Sequence, residues 1–140
     1  MVLIALTIAI HVPGVVAAGR ALRSFLDDER HNRYFETAAG SILATVVITL
    51  WLALLHGFES IVWAVAYVKL GAMSSYADAV LYSVDSMVTR GSSGLALDRE
   101  WRMMGAVEAG DGMLLFGIST AFLFYVMVRL YGKDYPLPGS

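Results

Sequence analysis

His56 and Glu59 stand one helical turn apart, and Glu108 and Asp111 repeat that spacing further along the chain. Each pair sits in a stretch that is otherwise nearly free of charge. Ionisable groups inside membrane segments usually face protein or water, and they mark function. Histidine and carboxylates at i, i+3 on facing helices are also the donor set of di-metal bundle sites. An intramembrane metal-dependent oxidoreductase or hydrolase is therefore one hypothesis. Only one histidine joins the two pairs, however, and the twin Glu-x-x-His pattern is missing, so no metal or other cofactor is expected. Hydrogen bonds that brace a short neighbouring helix account for the four groups more simply, with proton-linked gating as a further reading. His11, beside Pro13, reads as satisfying local backbone. Ser119 and Thr120 can bond to the preceding turn, reach a partner helix or line a cavity. No phosphate-binding glycine loop, Ser-His-Asp order or catalytic carboxylate pair is present, and the chain is not read as an enzyme.

The elements that carry these residues belong to a membrane protein. Of 140 residues, 58% are hydrophobic and only 16% charged, with mean hydropathy +0.66. A water-soluble domain carries about 25% charged residues. Ten Lys and Arg against twelve Asp and Glu leave a net charge of −2, which offers no basic field for nucleic acid. The absence of cysteine excludes disulfides and thiolate metal sites.

Residues 1–19 carry no Asp, Glu, Lys or Arg and reach about 28 Å as a helix. They read as an N-terminal membrane helix kinked at Pro13, with an uncleaved signal or a surface-lying helix as alternatives. Residues 20–36, where four arginines interleave with four acids, read as a cytosolic linker with a helical stretch. A second apolar run begins at Thr37 and continues to Val68. At about 48 Å it must tilt, break near Gly57 or project beyond the lipid. Ser75 followed by Asp78 predicts a helix start, and Ala77, Val80, Leu81, Val84 and Val88 recur at helical spacing after it. This segment is too short to cross a bilayer and suits a re-entrant helix. It closes in the small-residue run Thr89, Arg90, Gly91, Ser92, Ser93 and Gly94. A last long helix spans 103–131, and 132–140 form a tail. Trp51, Trp63 and Trp101, with Tyr34, Tyr131 and Tyr135, read as interfacial anchors.

A full helix, a half-length helix, irregular backbone and another full helix predict a pore or cavity, because non-helical backbone survives at membrane depth only in protein or beside water. The residues also resemble a family. Tyr76, Ala77, Asp78, Ala79, Val80, Leu81, Tyr82 and Ser83, followed by Thr89, Arg90 and Gly91, are similar to the pore helix and filter entry of small bacterial two-helix potassium channels. His56, Glu59, Trp63, Ala64 and Tyr67 resemble the first helix of that pore domain. Trp101, Arg102, Gly105, Glu108, Ala109, Gly112, Phe116, Gly117, Ser119, Thr120 and Ala121 resemble its inner helix. The resemblance covers about half of the chain. It implies an all-α membrane fold with a channel-like pore module at 37–131, assembled as a homo-oligomer in a lipid bilayer. A tetramer is favoured and a dimer is the alternative. A monovalent cation is the implied permeant partner, and Gly112 and Gly117 the implied hinge positions, with Ser119 and Thr120 lining the path.

The filter departs from the pattern. Where the family has Thr-Val-Gly-Tyr-Gly, this chain has Thr89-Arg90-Gly91-Ser92-Ser93, with Gly94 following. Filter carbonyls replace the ion's water shell, and the lost aromatic residue and second glycine remove both support and backbone freedom. Arg90 adds a permanent positive charge. Two unit charges about 8 Å apart repel by about 2 kcal/mol at an effective dielectric of about 20. Around a shared axis such charges suppress potassium passage unless neutralised, and Asp85 is the nearest acid by sequence, with Glu108 or another subunit as alternatives. The expectation is a weakly conducting, non-conducting or non-selective pore protein of the inner membrane, N-terminus outside and C-terminus cytoplasmic. A non-transport scaffold that reuses the pore fold is the rival.

Overall fold

The computed structural model describes residues 1–27, 37–91 and 94–131. Four helices account for most of them: α1 (Val2–Asp27), α2 (Ala38–Lys69), α3 (Tyr76–Met87) and α4 (Arg102–Tyr131). Three of these, α1, α2 and α4, are long and apolar enough to cross a membrane, and the chain is a multi-pass membrane protein. Their apolar residues turn outward: Leu50, Leu54, Met103, Leu114 and Phe124 are all exposed. Lipid is the medium in which such a surface is stable. Ser92 and Ser93 of the expected filter, the 28–36 part of the linker and the C-terminal tail lie outside the described residues, as do Tyr34 and Tyr135.

α1 and α4 run in the same direction and α2 runs against them. Met1, Leu3, Trp63, Leu70, Met103 and Val107 gather at one end of the bundle. At the other end the Arg23 guanidinium donates to the Tyr125 hydroxyl, and Thr45 meets Tyr131. α1 continues past the predicted boundary at Gly19 to Asp27. The extra turns bring Leu22 into an apolar cluster with Ile48, Leu52, Leu55 and Val126, and arginine and leucine are good helix formers. The helix is also uninterrupted at Pro13. Gly14 lets α2 approach closely, since a Cβ there would stand 2.7 Å from Leu55 Cδ1.

The Thr37 hydroxyl accepts from the Gly40 amide and caps α2. From there α2 runs for 32 residues without a break at Gly57. Its roughly 48 Å must be accommodated by tilt or projection. Ser75 caps α3, accepting from the Asp78 amide at 3.3 Å, and the helix lasts only 12 residues.

α3 descends between α2 and α4 from the end where Lys69 and Arg102 lie. Tyr82 meets the Tyr67 ring edge-on, 5.4 Å between centroids, and its hydroxyl crowds Gly105. One residue on, the Ser83 hydroxyl lies 2.8 Å from the Ser60 carbonyl. At the far end the Met87 backbone rests on Gly112. The chain then reverses through left-handed backbone at Thr89 (φ 55°), Gly91 (φ 81°) and Gly94 (φ 83°). That conformation is unfavourable for a β-branched residue such as Thr89. By Leu97 the chain is back against Trp63, Ala64, Tyr67 and Ala79. The segment between α2 and α4 thus enters and leaves at the same end of the bundle.

α3 buries Ala79, Ser83 and Met87 and leaves Tyr76, Val80, Leu81, Val84 and Val88 exposed. Its repeating aliphatic residues therefore face away from the other helices. Trp63 is not an interfacial anchor: it is 1% exposed, inside the cluster with Tyr67. Trp51 lies mid-helix and donates to the Gly14 carbonyl at 3.0 Å.

Candidate functional site

Between the two apolar clusters lies a layer of buried polar side chains drawn from all four helices. α2 supplies His56, Glu59, Ser60, Trp63 and Tyr67, which share one face because they recur every three or four residues. α4 supplies Glu108, Asp111 and Ser119, α3 supplies Ser83, and α1 supplies Thr7 and His11. Glu59, Glu108, Thr7 and His11 are wholly inaccessible. An ionisable group in such a place is tolerated only with hydrogen-bonding partners, and the layer divides into three groups around its three acids.

Glu59 lies between two histidines. Its Oε1 meets His11 Nδ1 at 2.8 Å, and its Oε2 faces His56 Nδ1 at 3.3 Å. The remaining nitrogens of both rings converge on Ser119 Oγ, His11 Nε2 at 3.1 Å and His56 Nε2 at 3.1 Å. His56 also stacks on Phe116, 4.0 Å between centroids. Asp111 Oδ2 accepts from the Thr7 hydroxyl at 2.7 Å and the Trp63 indole at 3.1 Å. Glu108 accepts from the Tyr67 hydroxyl at 2.6 Å and from Ser83. Ser60 Oγ lies 3.0 Å from both the His56 carbonyl and Met87 Sδ, and its one hydrogen serves either acceptor.

Three buried polar atoms have no hydrogen-bond partner among the described residues: His56 Nδ1, Glu59 Oε2 and Asp111 Oδ1. The first two face one another at 3.3 Å. Such atoms are uncommon in native interiors.

The bracing role expected of His56, Glu59, Glu108 and Asp111 is divided. Glu108 holds the short helix through Ser83, whereas the hydrogen bonds of Glu59 and Asp111 reach α1. His11 does not satisfy local backbone; it joins α1 to α2 and α4. Sequence reasoning gave no role to Thr7, whose signal was a polar residue one turn before His11 in an otherwise apolar helix. Ser119 reaches across to two helices, while Thr120 is exposed. Gly112 is a close contact with the α3 backbone, and nothing lies within 4 Å of a Cβ placed on Gly117.

Beyond α3, Arg90 Nη1 donates to Asp85 Oδ1 at 3.2 Å, and the Arg90 amide donates to the Asp85 carbonyl at 2.9 Å. Asp85 is buried, whereas the Arg90 side chain is 69% exposed. Arg90, Gly91 and Gly94 therefore lie at the surface of the single chain, beside Thr89.

Comparison with protein-family models, with curated proteins and with solved structures finds no match. Any functional reading rests on the residues and their geometry.

Proposed function

We propose that the chain is one subunit of a potassium-channel-like pore assembly whose ion path is shut, or stripped of potassium selectivity, at the end of α3. The observation that carries this reading is the path of residues 76–91 and 94–101. A half-length helix descends between two long ones to Gly112, the backbone turns through three left-handed residues, and the chain returns beside Tyr67. That is the route of a re-entrant helix and loop, which a membrane tolerates where the loop is buried or lines water.

Closure follows from Arg90. The last carbonyls of a helix carry partial negative charge and attract a cation. The Asp85 pairing offsets the repulsion between copies of Arg90, so closure rests on Arg90 occupying this position as a tethered cation. One chain encloses no path, so this reading requires several copies; the exposed stripe of Tyr76, Val80, Leu81, Val84 and Val88 is open to lipid or to a neighbouring copy alike. By sequence, six basic residues (Arg20, Arg23, Arg30, Arg33, Arg129 and Lys133) follow or flank the C-termini of α1 and α4, against four (Lys69, Arg90, Arg99 and Arg102) between the end of α2 and the start of α4, an excess that favours a cytoplasmic C-terminus and an outside N-terminus.

Reconstitution into liposomes tests the proposal. The unaltered protein is expected to pass little potassium, measured with a potassium-sensitive dye against a valinomycin control. Potassium-selective current from the unaltered chain refutes closure. A stable monomer without a continuous path points instead to a scaffold, and labelling that places residues 72–75 and 97–101 on opposite membrane faces refutes the re-entrant path.

A further inference from the structure

We propose that His11, His56 and Glu59 bind one first-row transition-metal dication of the zinc class, clasping α1 to α2, with Ser119 as the residue that orients both imidazoles. One ligand atom from each of the three residues lies within 4.8 Å of the others. Neutral imidazole nitrogen and carboxylate oxygen are the donors that such ions take.

The hydrogen count leads to the same place. Four contacts join His11, His56, Glu59 and Ser119: two to the carboxylate and two to the hydroxyl. Closing all four as hydrogen bonds takes four hydrogens. Two neutral imidazoles and one hydroxyl bring three. With His11 Nδ1–H donating to Glu59, Ser119 donating to His11 Nε2 and His56 Nε2–H donating to Ser119, two lone pairs are left facing each other. They belong to His56 Nδ1 and Glu59 Oε2, the same atoms that lack a partner. A cation between them turns that repulsion into attraction.

A metal ion uses every group better than the hydrogens do. Both Nδ1 atoms then present lone pairs to the ion. Both Nε2–H groups donate to Ser119 Oγ, which has two lone pairs to receive them. A ligating histidine characteristically donates its other ring N–H to a fixed acceptor, which sets tautomer and orientation. Ser119 meets that requirement for two histidines at 3.1 Å each. Glu59 supplies one negative charge, and Asp111 lies in the same polar layer with its Oδ1 unpartnered. The site draws on α1, α2 and α4 without α3, so it is independent of the pore proposal.

The test uses the full chain, purified in detergent and stripped with chelator, then titrated with Co2+ and afterwards with Zn2+. One Co2+ per chain is expected, with the visible bands of low-coordinate cobalt, and Zn2+ is expected to displace it. His11→Ala, His56→Ala and Glu59→Gln are each expected to abolish binding, and Ser119→Ala to weaken it about 10–100-fold. His31→Ala, which removes the remaining histidine of the chain, leaves it unchanged. Far-UV circular dichroism and a single elution peak confirm that each variant is folded, and the near-isosteric Glu59→Gln serves where an alanine variant is not. Folded wild type without saturable Co2+ binding overturns the proposal. So does binding that survives in folded Glu59→Gln, or that is lost with His31→Ala. A pH-dependent unfolding midpoint that requires His56 and is insensitive to Zn2+ also overturns it, in favour of a proton shared between His56 and Glu59.

Discussion

Gly112 provides the sharpest test of how α3 is seated. A Cβ at this position would overlap the Met87 carbonyl oxygen, with Met87 Cα at 2.8 Å and its carbonyl carbon at 3.0 Å. All three are backbone atoms of a helix end, so no side-chain rotation relieves the clash and α3 must move. Forcing an extra carbon into a packed contact costs about 1–3 kcal/mol. Replacing glycine by alanine also gains about 0.5–1 kcal/mol of helix propensity. Gly117→Ala, where nothing lies within 4 Å of the new carbon, isolates that gain. The propensity effect cancels between the two variants, and Gly112→Ala is expected to be less stable than Gly117→Ala by about 1–3 kcal/mol. Gly14→Ala falls between them, because its new carbon meets the flexible Leu55 side chain rather than backbone. Unfolding by sodium dodecyl sulfate, followed by far-UV circular dichroism, gives the three midpoints. Equal midpoints for Gly112→Ala and Gly117→Ala would refute the close seating of α3 on α4.

The polar layer makes further predictions. Trp63→Phe removes one of the two donors to Asp111 Oδ2 while keeping an aromatic ring, and is expected to cost about 0.5–2 kcal/mol in the same unfolding assay. Tyr67→Phe and Ser83→Ala each take one donor from Glu108, and the double variant should be non-additive by at least about 0.5 kcal/mol; additivity would mean that the two hydroxyls do not share the carboxylate. The chain has no native cysteine, and a Cβ at Gly14 lies 3.3 Å from Leu55 Cγ, so Gly14→Cys with Leu55→Cys should form a disulfide readily. Adding Thr7→Val and His11→Leu is expected to lower that yield several-fold at unchanged helix content, and an unchanged yield would show that these hydrogen bonds do not set the register of α1.

The elements were legible because their signals are local. The apolar run from Thr37 to Val68, the Ser75 cap and the last apolar run are recognisable without any tertiary information, and each became a helix. The helix runs on past the membrane boundary expected at Gly19, because Arg20 and Arg23 mark where a helix leaves lipid, not where it stops being helical. The stripe of Val80, Leu81 and Val84 shows the opposite limitation. Periodicity reveals which residues share a face, but in lipid the aliphatic face can point outward while Ser83 is buried. The candidate site was half legible. His56, Glu59, Glu108 and Asp111 stood out as ionisable residues in apolar surroundings. Their partners did not, since Thr7 meets Asp111 and His11 meets Glu59 across 104 and 48 residues. Pairings at that separation depend on how α1 docks, and its own sequence shows only that two polar residues occupy one face.

That docking explains why the layer is polar at all. In lipid, aliphatic contacts between helices gain little over contacts with acyl chains, so close packing and hydrogen bonds decide which helices associate. The cluster of Leu22, Ile48, Leu52, Leu55 and Val126 packs α1 against α2 and α4, but aliphatic surfaces tolerate rotation and sliding. Thr7 and His11 restrict both, because they sit one turn apart and reach acceptors on different helices, Asp111 on α4 and Glu59 on α2. A rotation that kept one bond would break the other. Glu108 does the same for α3 through Ser83, and Tyr67 holds the other carboxylate oxygen from α2. Buried acids act here as registration points between helices. They also leave Glu59 and His56 facing each other with one hydrogen too few, the arrangement from which the cation site follows.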